Sequence, residues 1–145
     1  MIPIAADHAG YEMKEFLEAS LRSENFLVND LGTFSDGSVD YPDYAHQLAQ
    51  FINNQHAEKG ILLCGSANGV AITANKHSGI RAAICWTNEI AELARMHNDA
   101  NVICIPARYV SKELALEMVH TFLNTPFEGG RHQKRVNKIE VRGGI

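Results

Sequence analysis

A cysteine followed by five small or polar residues, Cys64-Gly65-Ser66-Ala67-Asn68-Gly69, is the segment of this chain best suited to chemistry. Ahead of it runs the unbroken apolar stretch Gly60–Cys64, and behind it an apolar-rich segment from Val70 to about Lys76. Where a strand turns into a helix through small residues, backbone N–H groups can approach an anion, and the positive end of the helix dipole adds to the attraction. Thiols at such junctions are stabilised as thiolates, the form that acts as base or nucleophile. The turn lacks the GxxxxGK[ST] pattern of a P-loop, and Ala67 breaks the GxGxxG spacing of a dinucleotide fingerprint. It therefore suits a small oxyanion better than ATP or NAD, although a tight turn without a ligand has the same composition. Cys85 and Cys104 lie in apolar runs with no such turn and read as core residues. With three cysteines and no CxxC spacing, the chain is expected to keep reduced thiols rather than bridges.

Two further groups have the right types. Among seven histidines, His8 and His97 are set apart by position, each at the end of an element with a polar neighbour, in Asp7-His8 and in His97-Asn98-Asp99. Asp7 beside His8 suggests a carboxylate holding one imidazole tautomer, free to bind hydroxyls or phosphate. A metal held by Asp7, His8 and His97 has no HxxxH or CxxC spacing behind it, and none is expected. The stretch GGRHQKR (Gly129 to Arg135) places Arg131 and Arg135 four residues apart, on one helix face, as a fork for phosphate oxygens. The alternative is a solvated basic helix pairing with acidic neighbours.

The elements that must position these groups follow from hydrophobic periodicity. Strands are expected at Ile2–Ala6, Phe26–Asp30, Gly60–Cys64, Arg81–Cys85 and Asn101–Ile105. Helices are expected at Tyr11–Ser23, from Asp40 as N-cap to about Asn53, from Val70 to about Lys76, and from Asn88 to about Met96. Two more follow, from Ser111 to about Asn124 and from about Arg131 to Ile139. This alternation predicts a single α/β domain, residues 1–145: a three-layer Rossmann-like sandwich, its five-stranded and mostly parallel sheet covered on both faces, with an extra C-terminal helix. In such sheets ligands bind beyond the carboxyl ends of the strands, which singles out Asp7, His8, the Cys64–Gly69 turn and Arg108.

Composition narrows the function. The 145 residues are 46% hydrophobic and 21% charged, enough for one core without staples. No apolar run approaches the roughly 20 residues of a membrane span, and Met1-Ile2-Pro3-Ile4 has no basic leader region, so a cytoplasmic chain is expected. The net charge of −4 argues against nucleic-acid binding. It is uneven: residues 128–145 hold five basic against two acidic residues, whereas 1–127 hold eight against fifteen. Such a basic tail suits a small anion or a partner's acidic surface.

Together, Asp7-His8, CGSANG, HNDANV (His97 to Val102), Arg108 and EGGRHQKR (Glu128 to Arg135) resemble the ribose-5-phosphate isomerase B family, which also contains galactose-6-phosphate and allose-6-phosphate isomerases. The resemblance runs from about Ile2 to Ile139, and HNDANV combined with GGRHQ is its specific part. It implies interconversion of aldose and ketose phosphates through a cis-enediolate, with neither metal nor cofactor. Carried over by position, Cys64 is the base that moves a proton between C2 and C1. Ser66 and the backbone of Gly65, Ala67, Asn68 and Gly69 hold the enediolate oxygens. His97 assists ring opening, Asp7 and Asn98 meet sugar hydroxyls, and His8, Arg108, Arg131 and Arg135 hold the phosphate. The resemblance also implies a homodimer, tetramers occurring too, with the pocket between subunits and groups near His97 and Arg108 reaching a neighbour's site. This chain departs from many relatives in having Ala67 for glycine, from some in having Val70 for a glutamate base, and from others in having Ser66 for threonine.

A hexose 6-phosphate substrate would need a deeper pocket, a sugar-phosphate sensor would need no thiolate, and a Cys64–His97 hydrolase would form a covalent acyl intermediate. Ribose 5-phosphate incubated in deuterated water with EDTA is expected to isomerise and to gain deuterium at C2 by NMR. Absence of exchange on any aldose phosphate would leave the sensor standing.

Overall fold

Short apolar runs become parallel strands here because each is followed by an amphipathic segment long enough to carry the chain back to the starting edge of the sheet. The computed structural model describes residues 1–141. Its strands are β1 (Ile2–Ala6), β2 (Val28–Asp30), β3 (Gly60–Cys64), β4 (Ala82–Ile84) and β5 (Val102–Pro106). The helices are α1 (Tyr11–Ser23), α2 (Tyr41–Asn53), α3 (Asn68–Ala74), α4 (Asn88–Asn98), α5 (Lys112–Asn124) and α6 (Arg131–Val136). The strand order is β2-β1-β3-β5-β4 and every pairing is parallel. No described helix is long and apolar enough to cross a membrane.

The strands alternate their side chains between two cores, as a sheet covered on both faces requires. Ile61 and Leu63 join α1, α4 and α5 through Leu17, Leu21, Ala91 and Phe122. Leu62 and Cys64 face the other way, toward Leu48 and Ile52 of α2 and Val70 and Ala74 of α3. Gly10 lets the start of α1 close on β3, since a Cβ there would lie 2.8 Å from the Leu63 Cβ and 3.0 Å from its carbonyl.

Several element ends differ from the periodicity: β4 is Ala82–Ile84 rather than Arg81–Cys85, β5 is shifted by one residue to Val102–Pro106, α3 ends at Ala74 and α4 runs on to Asn98, and at three further ends the local surroundings are plain. The second strand starts at Val28 rather than Phe26, because the Phe26 N–H is spent on the Leu21 carbonyl in the turn that closes α1. Helix α3 starts at Asn68, ahead of Val70, because Ala67 adopts a left-handed φ of 65° and the helix begins inside the turn. The C-terminal helix ends at Val136, short of Ile139; beyond it Glu140 accepts hydrogen bonds from Gly79 N–H and the Ser78 hydroxyl. Arg142, counted in the basic tail, lies outside the described residues.

One polar group is built into this frame. Lys14 is fully buried and donates to Asp30 Oδ2 at 2.7 Å and Glu15 Oε1 at 2.9 Å, tying α1 to β2. Burial alone would lower its pKa, but the two carboxylates outweigh it and hold the amine above its ordinary 10.5. A raised folded-state pKa contributes stability that is fully present below 10.5 and lost as pH climbs through the higher folded value. Asp30→Asn is expected to destabilise the fold by roughly 3 kcal/mol, near the low end for stripping one partner from a buried pair because Glu15 remains. Urea unfolding near neutral pH measures this, and the difference from the parent chain should shrink above pH 10.5.

Candidate active site

Three strands deliver their following loops to one end of the sheet. After β1, Asp7 is buried and its Oδ1 accepts from the backbone N–H groups of Ala9 and Gly10, at 3.0 and 3.1 Å. His8 follows, and its Nδ1 accepts the Val39 N–H at 3.2 Å. The expected Asp7–His8 tautomer pair is thus replaced: Asp7 caps its own turn, and Val39 selects the His8 tautomer, leaving Nε2 as the proton-bearing nitrogen of the neutral ring. After β3, the turn runs through exposed Ser66, whose Oγ accepts from the Asn68 N–H at 3.3 Å, into Ala67 and α3.

The turn is held from two sides. Ala107 N–H donates to the Cys64 carbonyl at 2.9 Å and Arg108 N–H to the Gly65 carbonyl at 3.1 Å, so the chain after β5 lies along the chain after β3. Arg108 then covers Gly65, where an added Cβ would come 3.0 Å from Nη1 and 3.3 Å from both Cδ and Cζ. On the other side the Tyr41 ring lies against Gly69, with only 2.5 Å between its Cε2 and the position of a Cβ. Glycine at both positions is what allows a guanidinium and a phenol ring to close on the backbone. Cys64, 4% exposed, belongs to the apolar cluster that holds Ala67 and Val70. Burial pushes the Cys85 thiol up to about 12 and that of Cys104 well above its ordinary value, so neither supplies a thiolate.

His97 and Asn98 are elsewhere. Helix α4 returns the chain to the amino end of the sheet, and these residues close it just before β5 begins. Arg95, buried, locks that end by donating to Asp99 Oδ1 at 2.9 Å, the Ala100 carbonyl at 2.6 Å and the Thr125 carbonyl at 3.1 Å. Glu128 N–H reaches the Met96 carbonyl at 3.0 Å, which brings α6 alongside. As a result His97, Asn98, Arg131, His132 and Arg135 line a single cleft of about 410 Å³. The His97 ring stacks on His132 with centroids 4.2 Å apart and planes 13° apart.

The chain therefore carries two groups at opposite ends of β3. Cys64 pairs with Pro106 and Gly60 with Val102, and the four residue steps between them span about 13 Å of strand. Arg108 lies on the Cys64 side. Sequence reasoning missed Tyr41 and Val39, which touch the first group from more than twenty residues away, and Glu128 and His132 as neighbours of His97. Only the last two carried a signal, as titratable residues inside the basic motif.

Comparison with known proteins places the fold and the sequence in a family. The family model for Ribose/Galactose Isomerase matches residues 2–139. The chain belongs to that family. It is 42% identical to Escherichia coli ribose-5-phosphate isomerase B, over 95% of this chain and 93% of that protein. The crystal structure of a ribose 5-phosphate isomerase from Thermotoga maritima superposes with a TM-score of 0.94 at 50% identity, covering 95% of each chain. That of ribose-5-phosphate isomerase B from Mycoplasma genitalium, which has ribulose-5-phosphate bound, gives 0.89 at 41% identity, covering 95% of this chain and 92% of that one.

The packing of Tyr41 on Gly69 has a measurable consequence. Gly69→Ala is expected to destabilise the protein by about 1–2 kcal/mol, because the ring must leave its place. In a Tyr41→Ala background the same change should become neutral or stabilising, alanine being the better helix residue by about 1 kcal/mol. Thermal unfolding of the four proteins checks the sign reversal.

Proposed function

We propose that this chain interconverts ribose 5-phosphate and ribulose 5-phosphate by proton transfer through a cis-enediolate, in pockets assembled from two copies of itself. The pentose substrate is supported by the relatives, each named for ribose 5-phosphate, one with the ketose product bound. The shared pocket is supported by one observation: the groups the reaction needs lie at opposite ends of a five-residue strand. A two-fold dimer would set the Cys64 end of one copy against the His97 end of the other, twice. Exposed Ile72 and Trp86, 63% and 52% accessible beside the edge strand β4, offer apolar surface for the contact.

In this reading Arg131 and Arg135 of one copy, with His8 and Arg108 of the other, clasp the phosphate. Binding energy gained there positions C2 against Cys64, far from the charge being held. His97 assists opening of the furanose ring, and Asp7 and Asn98 meet sugar hydroxyls. Cys64 takes the C2 proton and returns it to C1, while Ser66 and the N–H groups of Gly65 to Gly69 face the enediolate oxygens, where charge appears only as the proton leaves. Three free cysteines suit a reducing compartment, and we place the activity in the cytoplasm.

Mixing two inactive variants tests the shared pocket. Cys64→Ala and His97→Ala are each expected to lose at least about 10²-fold in turnover while still binding sugar phosphate. Unfolded and refolded together, they should recover activity that neither has alone, because one pocket of each mixed dimer is intact. Normal turnover in Cys64→Ala would remove the sulfur from its role, and failure to complement would place each site within one chain.

A further inference from the structure

Beside the arginines at the amino end of the sheet, three side chains with metal-binding chemistry converge. His97 Nε2 is 3.8 Å from Glu128 Oε2, His132 Nε2 is 4.0 Å from Glu128 Oε1, and the ligand atoms of all three lie within 4.8 Å of one another. Both nitrogen–oxygen separations are too long for hydrogen bonds. Among the described residues, Nε2 of His132 is the one buried side-chain nitrogen or oxygen with no hydrogen-bond partner, on a residue only 5% exposed. A buried polar atom of that kind costs free energy until something satisfies it, and here it is aimed at the same carboxylate that His97 faces.

We propose that His97, Glu128 and His132 form a zinc-binding site, and that a bound ion withdraws His97 from the isomerase. Two imidazoles and one carboxylate suit zinc, and leave its fourth position open. Tetrahedral zinc holds its ligand atoms roughly 3.3 Å apart, so the three groups need to close by about 0.5–1.5 Å. Glu128 is exposed and His97 about one-third exposed, so both can make that movement, His97 turning out of its stack on His132 to bring the two ring planes onto one ion. Arg131 and Arg135 line the same cleft and repel a dication, which weakens the site relative to a structural zinc site. The inhibitory consequence rests on the ring-opening role given to His97 above; binding itself does not.

The test is calorimetric titration of the EDTA-treated, dialysed protein with ZnCl2, with CoCl2 absorbance as a second reading of geometry. One ion per chain, tetrahedral cobalt bands, and an affinity weakened at least about tenfold in both Glu128→Gln and His132→Gln are expected. No binding up to 1 mM metal, or unchanged affinity in either variant, overturns the site; that second result would arise if zinc went to Cys64 or to the His46–His77 pair, whose nitrogens are 2.7 Å apart. Should His132→Gln fail to fold, the exposed Glu128 variant and the cobalt bands decide. Zinc is also expected to inhibit isomerisation with the midpoint of its binding. Zinc bound through both ligands without inhibition would overturn the role of His97 and leave the metal site standing.

Discussion

Everything at the candidate site depends on the parallel pairing of β3 with β5 over five residues each. That register lays the chain after Pro106 along the chain after Cys64, so two backbone hydrogen bonds hold the Cys64–Gly65 carbonyls and Arg108 arrives over Gly65. The same pairing fixes the other end. Gly60 N–H donates to the Asn101 carbonyl, and Arg95 and Arg81 clamp the Asp99 turn that precedes β5. A parallel sheet sends every strand's successor loop to one end and every helix's exit to the other. Groups that leave strands and groups that leave helices are thereby kept apart within one chain.

The turn after β3 shows how tightly its backbone is drawn. Ala67 holds a left-handed φ of 65° that disfavours any side chain, while being wholly buried. Glycine is the easier occupant of such a conformation. The methyl is accommodated because it joins the apolar cluster with Val70 and Cys64 rather than pointing into the turn's open side. Val70 is fully buried, and valine there seals that cluster.

Much of this was legible in the residue order. The unbroken Gly60–Cys64 run announced a strand buried on both faces, and all five strands and six helices lie where periodicity puts them, with no end displaced by more than three residues. Phe26 shows why ends are hard: its apolar side chain favours a strand, but its N–H is taken by the turn closing α1. The candidate groups were likewise visible as motifs. What could not be read was who touches whom, as in the Asp7–His8 pair, whose members turn to Gly10 and Val39 instead.

Composition and periodicity by themselves determined a parallel α/β layer, unbridged core cysteines, and a small-residue turn and basic helix, since each follows from the chemistry of neighbouring residues. Tertiary structure decided the rest: that Tyr41 closes on Gly69, that His132 stacks on His97 beside Glu128, and that the sulfur and the stacked imidazoles lie at opposite ends of the sheet. Those facts depend on crossovers of a dozen residues or more, whose direction in space is set by the handedness and polarity of the whole sheet and not by any local stretch of sequence.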